Sequence, residues 1–281
     1  LDSRLSASVD VFRKETKDVL TPMQILMVTG NNGGNPVVNA ATLLNTGVEL
    51  TLNWRDRIGE FGYNVGVNGS YLKNKILKLG YDRKEFTQWD TKSRVGHSIG
   101  DWFLIKTAGI FKSVQEVLDH KNSHGNVIQP NAKPGDIRYV DFNDDGMITD
   151  ADRQYAGSSI PKFELGMNWG LSYHQFDLQF QFTGAFGFKS FNGPRSGYDR
   201  FDDNSNYRAD YDPWTPDNPN ARDPRPIYQD SRNADGDQDR WLENGNYIKI
   251  RQMALGYTLP KSLIGNTFDY IRIYLNAQNL I

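Results

Sequence analysis

The sequence predicts an all-β fold: antiparallel strands forming part of the wall of a transmembrane β-barrel. Three observations carry that prediction. Aromatic residues make up 12% of the chain, while all hydrophobic residues together reach only 38%, a balance that favours strands over helices. Several segments alternate strictly between apolar and polar residues, the period that sends successive side chains to opposite faces of a sheet. Those segments run about 10–13 residues, close to the 9–11 that a tilted strand needs to cross a bilayer, whereas soluble strands mostly stop near 5–6.

The elements follow in order. The first strand, 3–20, sets Leu5, Ala7, Val9 and Val11 against Ser6, Ser8 and Asp10. The second, 43–56, sets Val48, Leu50, Leu52 and Trp54 against Glu49, Thr51, Asn53 and Arg55. The third, 60–76, alternates Tyr63, Val65, Val67 and Tyr71 with Asn64, Gly66, Asn68 and Ser70. The fourth and fifth, 162–173 and 175–187, form the clearest pair. Phe163, Leu165, Met167, Trp169, Leu171 and Tyr173 share one face, as do Phe176, Leu178, Phe180 and Phe182. Their neighbours are Glu, Gly, Asn, Ser, Asp, Gln and Thr. The sixth, 246–258, breaks phase near Gln252: Ile248 and Ile250 are followed by Met253, Leu255 and Tyr257, which predicts a β-bulge. The seventh, 269–281, alternates Ile271, Ile273, Leu275 and Ala277 with Arg272, Tyr274, Asn276 and Gln278.

The polar set is mostly Asn, Gln, Ser, Gly and Thr. Such residues suit a hydrated lumen better than an ordinary surface, where Lys and Glu dominate. The connections are of two kinds. Short ones fall at Asp56–Phe61, Tyr173–Gln175 and Pro260–Phe268; long ones at Thr21–Thr42, Leu77–Pro161 and Phe188–Asn246. Outer-membrane barrels pair short periplasmic turns with long external loops. The direction of the flanking strands allows zero or two crossings within 77–161. Its Gly, Asp, Asn and Pro content favours zero, with Asp101–Phe111 a strand inside an external loop domain. Regions 77–161 and 188–245 are then extracellular loops. Seven crossing strands leave a barrel open, so the chain reads as a fragment of something larger.

Other classes are constrained. A net charge of −2 gives no reason to expect a nucleic-acid partner. With no cysteine there is no disulfide framework or thiolate chemistry. His97, His120, His124 and His174 lack metal-ligand spacing, and no hydrolase or nucleotide-binding motif is present. The chain is therefore read as not an enzyme, although glycosidase acids need not be close in sequence. Acid pairs such as Asp202/Asp203 and Asp144/Asp145 read as solvated or calcium-linked rather than as glycosidase carboxylates.

Two stretches are candidates for binding. DFNDDGMITDAD, Asp141–Asp152, has the spacing of an EF-hand-type calcium loop: Asp141, Asn143 and Asp145 at positions 1, 3 and 5, Gly146 at the turn, the Met147 carbonyl next, and Asp152 at position 12. Asp stands where that loop has Glu, and the flanks do not read as helices. The same residues fit a tight Asx-rich turn without metal. The loop Phe191–Asp230 mixes aromatics, carboxylates, amides, Arg and Pro, the furniture of sugar or peptide binding. Trp89, Trp102, Trp214 and Trp241 are the candidate substrate residues; packing of the loop itself is the plainer role for each.

Several phrases together resemble the SusC/RagA-type TonB-dependent outer-membrane transporters. They are Pro134–Gly187 (PGDIRYVDFNDDGMITDADRQYAGSSIPKFELGMNWGLSYHQFDLQFQFTGAFG), Asp239–Leu263 (DRWLENGNYIKIRQMALGYTLPKSL), Ile271–Ile281, Asn45–Trp54 (NTGVELTLNW) and the AGIF at Ala108–Phe111. The resemblance covers nearly the whole chain. It implies the C-terminal part of a barrel of roughly twenty-two strands, lacking the plug, the TonB box and one final strand. It implies active import of a glycan or oligopeptide across a Gram-negative, Bacteroidota-like outer membrane. The implied partners are a SusD-like surface lipoprotein, TonB and outer-membrane lipid. The competing reading is a secreted all-β carbohydrate-binding module or glycosidase with a calcium loop; a third is a structural surface protein.

Overall fold

The computed structural model describes residues 4–22, 28, 30, 36–80, 83–201, 206–228, 233, 237–265 and 267–280. Residues 3 and 281, at the outer ends of the first and last expected strands, and the Asp202/Asp203 pair lie outside them. Among the described residues no helix is long and apolar enough to cross a membrane.

Seven strands form one antiparallel sheet: β1 (Leu5–Pro22), β2 (Val37–Ile58), β3 (Phe61–Lys78), β10 (Phe163–Tyr173), β11 (Phe176–Phe186), β14 (Tyr247–Thr258) and β15 (Arg272–Gln278). They lie in that order across the sheet, so each strand pairs with the one before it in the chain of crossings. All seven expected strands are present. β2 is longer than its alternation indicated, and β15 shorter. Among the described residues no strand between 79 and 162 joins the sheet.

Register turns seven separate alternations into two continuous faces. Leu5, Trp54, Val65, Trp169, Phe180, Met253 and Ala277 lie opposite one another in a single row. The next row is Ala7, Leu52, Val67, Met167, Phe182 and Ile250. The alternate rows are polar: Ser6, Asn53, Gly66, Asn168, Gln181, Gln252 and Gln278. Among the described residues no second layer covers the apolar face. Val11 is 79% exposed and Leu275 75%, with Val9, Leu50, Leu52, Trp169 and Leu255 exposed too.

The phase break in β14 is a bulge. Gln181 pairs with Gln252 and Phe182 with Ile250, so Arg251 is the extra residue. It restores the alternation on either side of the break, keeping Ile250 and Met253 on the apolar face.

Turn chemistry fixes one end of the sheet. Ile58 pairs with Phe61 across two residues, one of them Gly59 at φ +60°. Tyr173 pairs with Phe176 across His174 and Gln175, and His174 takes φ +52°. His174 Nε2 lies 2.9 Å from Glu60 Oε2, which links neighbouring turns. The third short connection, between β14 and β15, contains the one-turn helix α3 (Lys261–Ile264) closed by Gly265.

All the long connections leave the opposite end, and two of them fold together. The 79–162 region contributes β4 (Glu85–Gln88), β5 (Thr91–Arg94), β6 (Asp101–Ile105) and β9 (Arg153–Gly157), which form one small sheet. It also holds β7 (Thr107–Ile110) paired with β8 (Ile137–Tyr139), and helix α1 (Val114–Asp119). The 187–246 region supplies β12 (Lys189–Phe191), β13 (Leu242–Asn244) and helix α2 (Gly193–Tyr198). The single strand expected at Asp101–Phe111 is divided at Lys106, because β6 pairs with β9 while β7 pairs with β8.

Most of the buried core sits in these loops and where they meet the sheet. Trp241, Phe111 and Leu104 are fully buried there. A second cluster, Ala41, Ile76 and Leu79 with Leu43, Phe86 and Ile99, closes the inner side of β2 and β3 against the loops.

The bulge gives a sharp test, because a one-residue slip inverts every side chain beyond it. Deleting Arg251 alone should leave a continuous ladder and a protein that folds with normal heat-modifiable mobility on gels. Deleting Arg251 and Gln252 together should turn Met253, Leu255 and Tyr257 to the polar side and abolish that mobility shift.

Candidate functional site

The polar face of the wall is built from amides lying over glycines. A side chain added at Gly66 would sit 2.8 Å from Asn53 Oδ1, and one at Gly166 would sit 2.5 Å from Asn68 Oδ1. At Gly170 the amide of Asn64 occupies that space. Glycine here makes room for the neighbouring strand's amide to lie flat. Beside these pairs a shallow cavity of about 300 Å³ is lined by Asn64, Asn168, Gln179, Gln181 and Gln252.

The loops are held by buried charge. Asp223 is fully buried and Asp199 nearly so. Arg208 Nε is 2.8 Å from Asp199 Oδ1, and Arg240 Nη2 is 3.2 Å from both Asp199 and Asp223. Arg195 and Arg208 reach Asp223 at 3.2 and 3.3 Å. Asp223 N–H donates to Asp212 O at 2.9 Å, and Asp212 N–H donates to Asp223 Oδ2 at 3.1 Å. Burial opposes ionisation of Asp223, but that N–H contact with Asp212 and the guanidinium groups of Arg208, Arg240 and Arg195 together hold its carboxyl below the usual aspartate range.

A second pair joins the two loop regions. Arg225 Nε donates to Asp136 Oδ1 at 2.6 Å, and Asn233 Nδ2 donates to the same oxygen. Asp136 is also held low: burial opposes this, and Arg225, Asn233 and the Lys133 N–H outweigh it. Thr107 donates twice to Asp239 Oδ1, and Ile105 N–H donates to Asp237 O.

The acidic loop 141–152 is a closed set of Asx turns. Asp141 accepts the N–H groups of Asp145 and Gly146. Asn143 accepts from Asp145 N–H, and Asp145 from Met147 N–H. Asp152 is fully buried, accepting from Phe142 N–H on one oxygen and Thr149 N–H on the other. Ile148 packs on Ile105, Ile137 and Tyr139, which anchors the loop. Ser123 donates to Asp144 from both its N–H and its hydroxyl, and these contacts hold that carboxyl low. Among the described residues no three imidazole or carboxylate groups gather into a metal site by themselves. An ion would also need Asn143, the Met147 carbonyl and water. Each carboxylate oxygen that takes one N–H keeps a further lone pair, so the donor set can still supply oxygen ligands.

The four tryptophans are scattered. Trp241 is fully buried beneath the Arg240 guanidinium, 4.4 Å from its ring, so it has no surface for a substrate. Trp214 lies against Gly135 and Arg225. Trp102 donates to Lys189 O and stacks on Phe191. Trp89 alone stands out, 86% exposed at a turn with φ +54°. Packing thus accounts for three of them. The Arg–Asp network was not read from the sequence; its signal was the dense alternation of Arg and Asp between 195 and 225.

An antiparallel sheet with a bare apolar face, an amide face, tight turns at one end and folded loops at the other is a segment of β-barrel wall. No family model matches the chain. It is 28% identical over 295 residues to TonB-dependent receptor P3 of Formosa agariphila, covering 100% of this chain and 28% of that protein. It is 21% identical to TonB-dependent receptor SusC of Bacteroides thetaiotaomicron, covering 99% of this chain and 27% of that one. In structure it is similar to the RagAB peptide transporter, with a TM-score of 0.78 and 21% identity over 99% of this chain and 29% of that chain. The chain therefore spans under a third of the length of these relatives. Along its whole length the chain is similar in sequence to proteins named TonB-dependent receptors, SusC among them, and in fold to the RagAB peptide transporter, the resemblance that the sequence implied.

Replacing Asp223 with Asn should leave four guanidinium groups, those of Arg195, Arg208, Arg222 and Arg240, short of a counter-charge, at a local cost of about 3–5 kcal/mol. Hydrogen exchange across 188–245 should rise sharply while the seven-stranded sheet is unchanged. The depressed carboxyls of Asp223 and Asp136 contribute stability that is full above about pH 4 and is lost as pH falls through their folded-state values. Limited proteolysis of the loops should therefore accelerate in acid and not between pH 6 and 8.

Proposed function

We propose that this chain is wall and external cap of an outer-membrane importer that moves glycans or oligopeptides with energy delivered through TonB. The in-register apolar face running across seven strands, with an amide face behind it, is the observation that carries this reading. Hydrocarbon is the environment that such a bare face requires, because every backbone group of a spanning strand must be paired within the sheet. The amide face suits a hydrated passage for polar cargo. The folded loops form a broad surface at the mouth, where a SusD-like surface lipoprotein would dock. The relatives named as TonB-dependent receptors and the RagAB peptide transporter support import rather than catalysis. A secreted binding module is disfavoured, since it would have to leave the same apolar face in water.

The 141–152 loop is assigned a structural calcium ion, held by Asp141, Asn143, Asp145 and the Met147 carbonyl, with Asp152 closing the loop. Its role would be to stiffen the cap where Ile148 meets the β7–β8 pair.

Two measurements test these assignments. Phe180→Arg should block membrane assembly, since a cation on a mid-bilayer lipid face costs about 2–4 kcal/mol. Gln181→Arg, one residue along, should assemble normally. Equal losses in a lipid-folding assay, or a protein that stays monomeric without detergent, would refute the membrane reading. For the loop, added calcium should raise the thermal midpoint of the protein, and Asp145→Asn should remove that response; no response in the parent protein would refute the ion.

A further inference from the structure

We propose that the outward face of β1–β3, just beyond the apolar band on the side of the long connections, binds the phosphate-bearing headgroup of a membrane lipid. This rests on the membrane reading above and adds to it a site with a specific occupant.

Register sets the geometry. The last outward row of the apolar band is Val11, Val48, Tyr71 and Phe163. The Tyr71 and Phe163 rings meet at 4.9 Å, placing aromatics where barrels meet the headgroup region. The next outward row is Arg13, Thr46 and Lys73, and the one after it Glu15, Leu44 and Lys75. Beyond a bulge, Thr42 pairs with Lys78, and Lys17 lies on the same side, 3.9 Å from Glu15. Rows repeat every 7 Å or so, and Arg13 and Lys73 stand about 10 Å apart across β2.

Five cations thus share this stretch of the wall with two carboxylates, Glu15 and the bulged Asp18, on a chain whose net charge is −2. Arg13, Lys17, Lys73, Lys75 and Lys78 are all exposed. Glu15 is shared loosely by Arg13 and Lys17, at 3.7 and 3.9 Å. Lys73, Lys75 and Lys78 have no ion pair among the described residues. They cannot turn inward, because the alternate residues Asn74 and Ile76 are covered by the loops: Asn74 Oδ1 accepts from Ile99 N–H, and Ile76 is fully buried. The cations therefore remain directed at whatever lies outside the wall, at headgroup depth.

A lipid satisfies both parts of this surface at once, with acyl chains on the apolar band and phosphate among the lysines. Free phosphate would meet only the cations, which are spread along strands and form no cup. A second copy of the chain would bring the same positive charge against itself.

The test uses the full-length protein in nanodiscs of phosphatidylcholine carrying a minor fraction of phosphatidylglycerol. The lipid retained by the protein is measured by mass spectrometry. We expect about tenfold enrichment of phosphatidylglycerol, declining as salt is raised. The triple variant Lys73→Gln, Lys75→Gln, Lys78→Gln should insert normally and lose that enrichment. The control Lys106→Gln, Lys121→Gln, Lys133→Gln, in the loops, should keep it. Absence of enrichment in the inserted parent protein, equal enrichment in both variants, or removal of the enrichment by millimolar inorganic phosphate would overturn the proposal. So would a change of oligomeric state in the lysine variant with lipid ratios unchanged. Failure of the parent protein to enter nanodiscs would instead refute the membrane reading.

Discussion

Pairing of the backbone governs this structure. A strand that crosses hydrocarbon has no water to satisfy its N–H and C=O groups, so each must meet a neighbour. Once strands pair in register, the period of two does the rest. Through the middle of the sheet, apolar side chains fall into rows with apolar neighbours, and the amides fall into the rows between. The sheet therefore needs no second layer and no buried core. That is why most of its large side chains are partly exposed, while fully buried ones lie in the loops or, like Ile76, where the loops cover the wall.

The loops obey the opposite rule. They lie outside the wall and must hold together as an ordinary folded domain. Apolar residues are scarce there, so charge takes a large share of the work. Asp199 and Asp223 gather Arg195, Arg208 and Arg240, and the Arg225–Asp136 pair fastens one loop to the other. A buried ion network of this kind adds little stability over an apolar core, but it is severe on any single loss. It fixes one arrangement of two long connections that share few hydrophobic contacts.

The wall was legible in the sequence because alternation is local. Strand positions, face assignment and even a phase break near Gln252 follow from counting residues two at a time; the register places the extra residue at Arg251. The extended upper ends of β1 to β3 were not legible in full. Their inner side is covered by the loops, so residues such as Ala41, Leu43 and Ile76 answer to a tertiary contact and not to the membrane. The candidate site was less readable still. Four tryptophans looked alike on paper, yet burial separates Trp241 from Trp89 completely. The Arg–Asp network links residues more than forty apart, and nothing in a short window announces which carboxylate meets which guanidinium. The acidic loop kept its predicted spacing; the structure adds that its carboxylates also organise the backbone.

The asparagine-over-glycine pairing on the inner face has a mechanical meaning. Where one strand lacks a side chain, the next strand's amide lies down into the gap, so the surface has little relief. The cavity beside Asn64, Asn168 and Gln181 is shallow, and amide donors and acceptors recur along the face. A molecule sliding across such a floor trades each contact for an equivalent one, and its motion meets only small barriers.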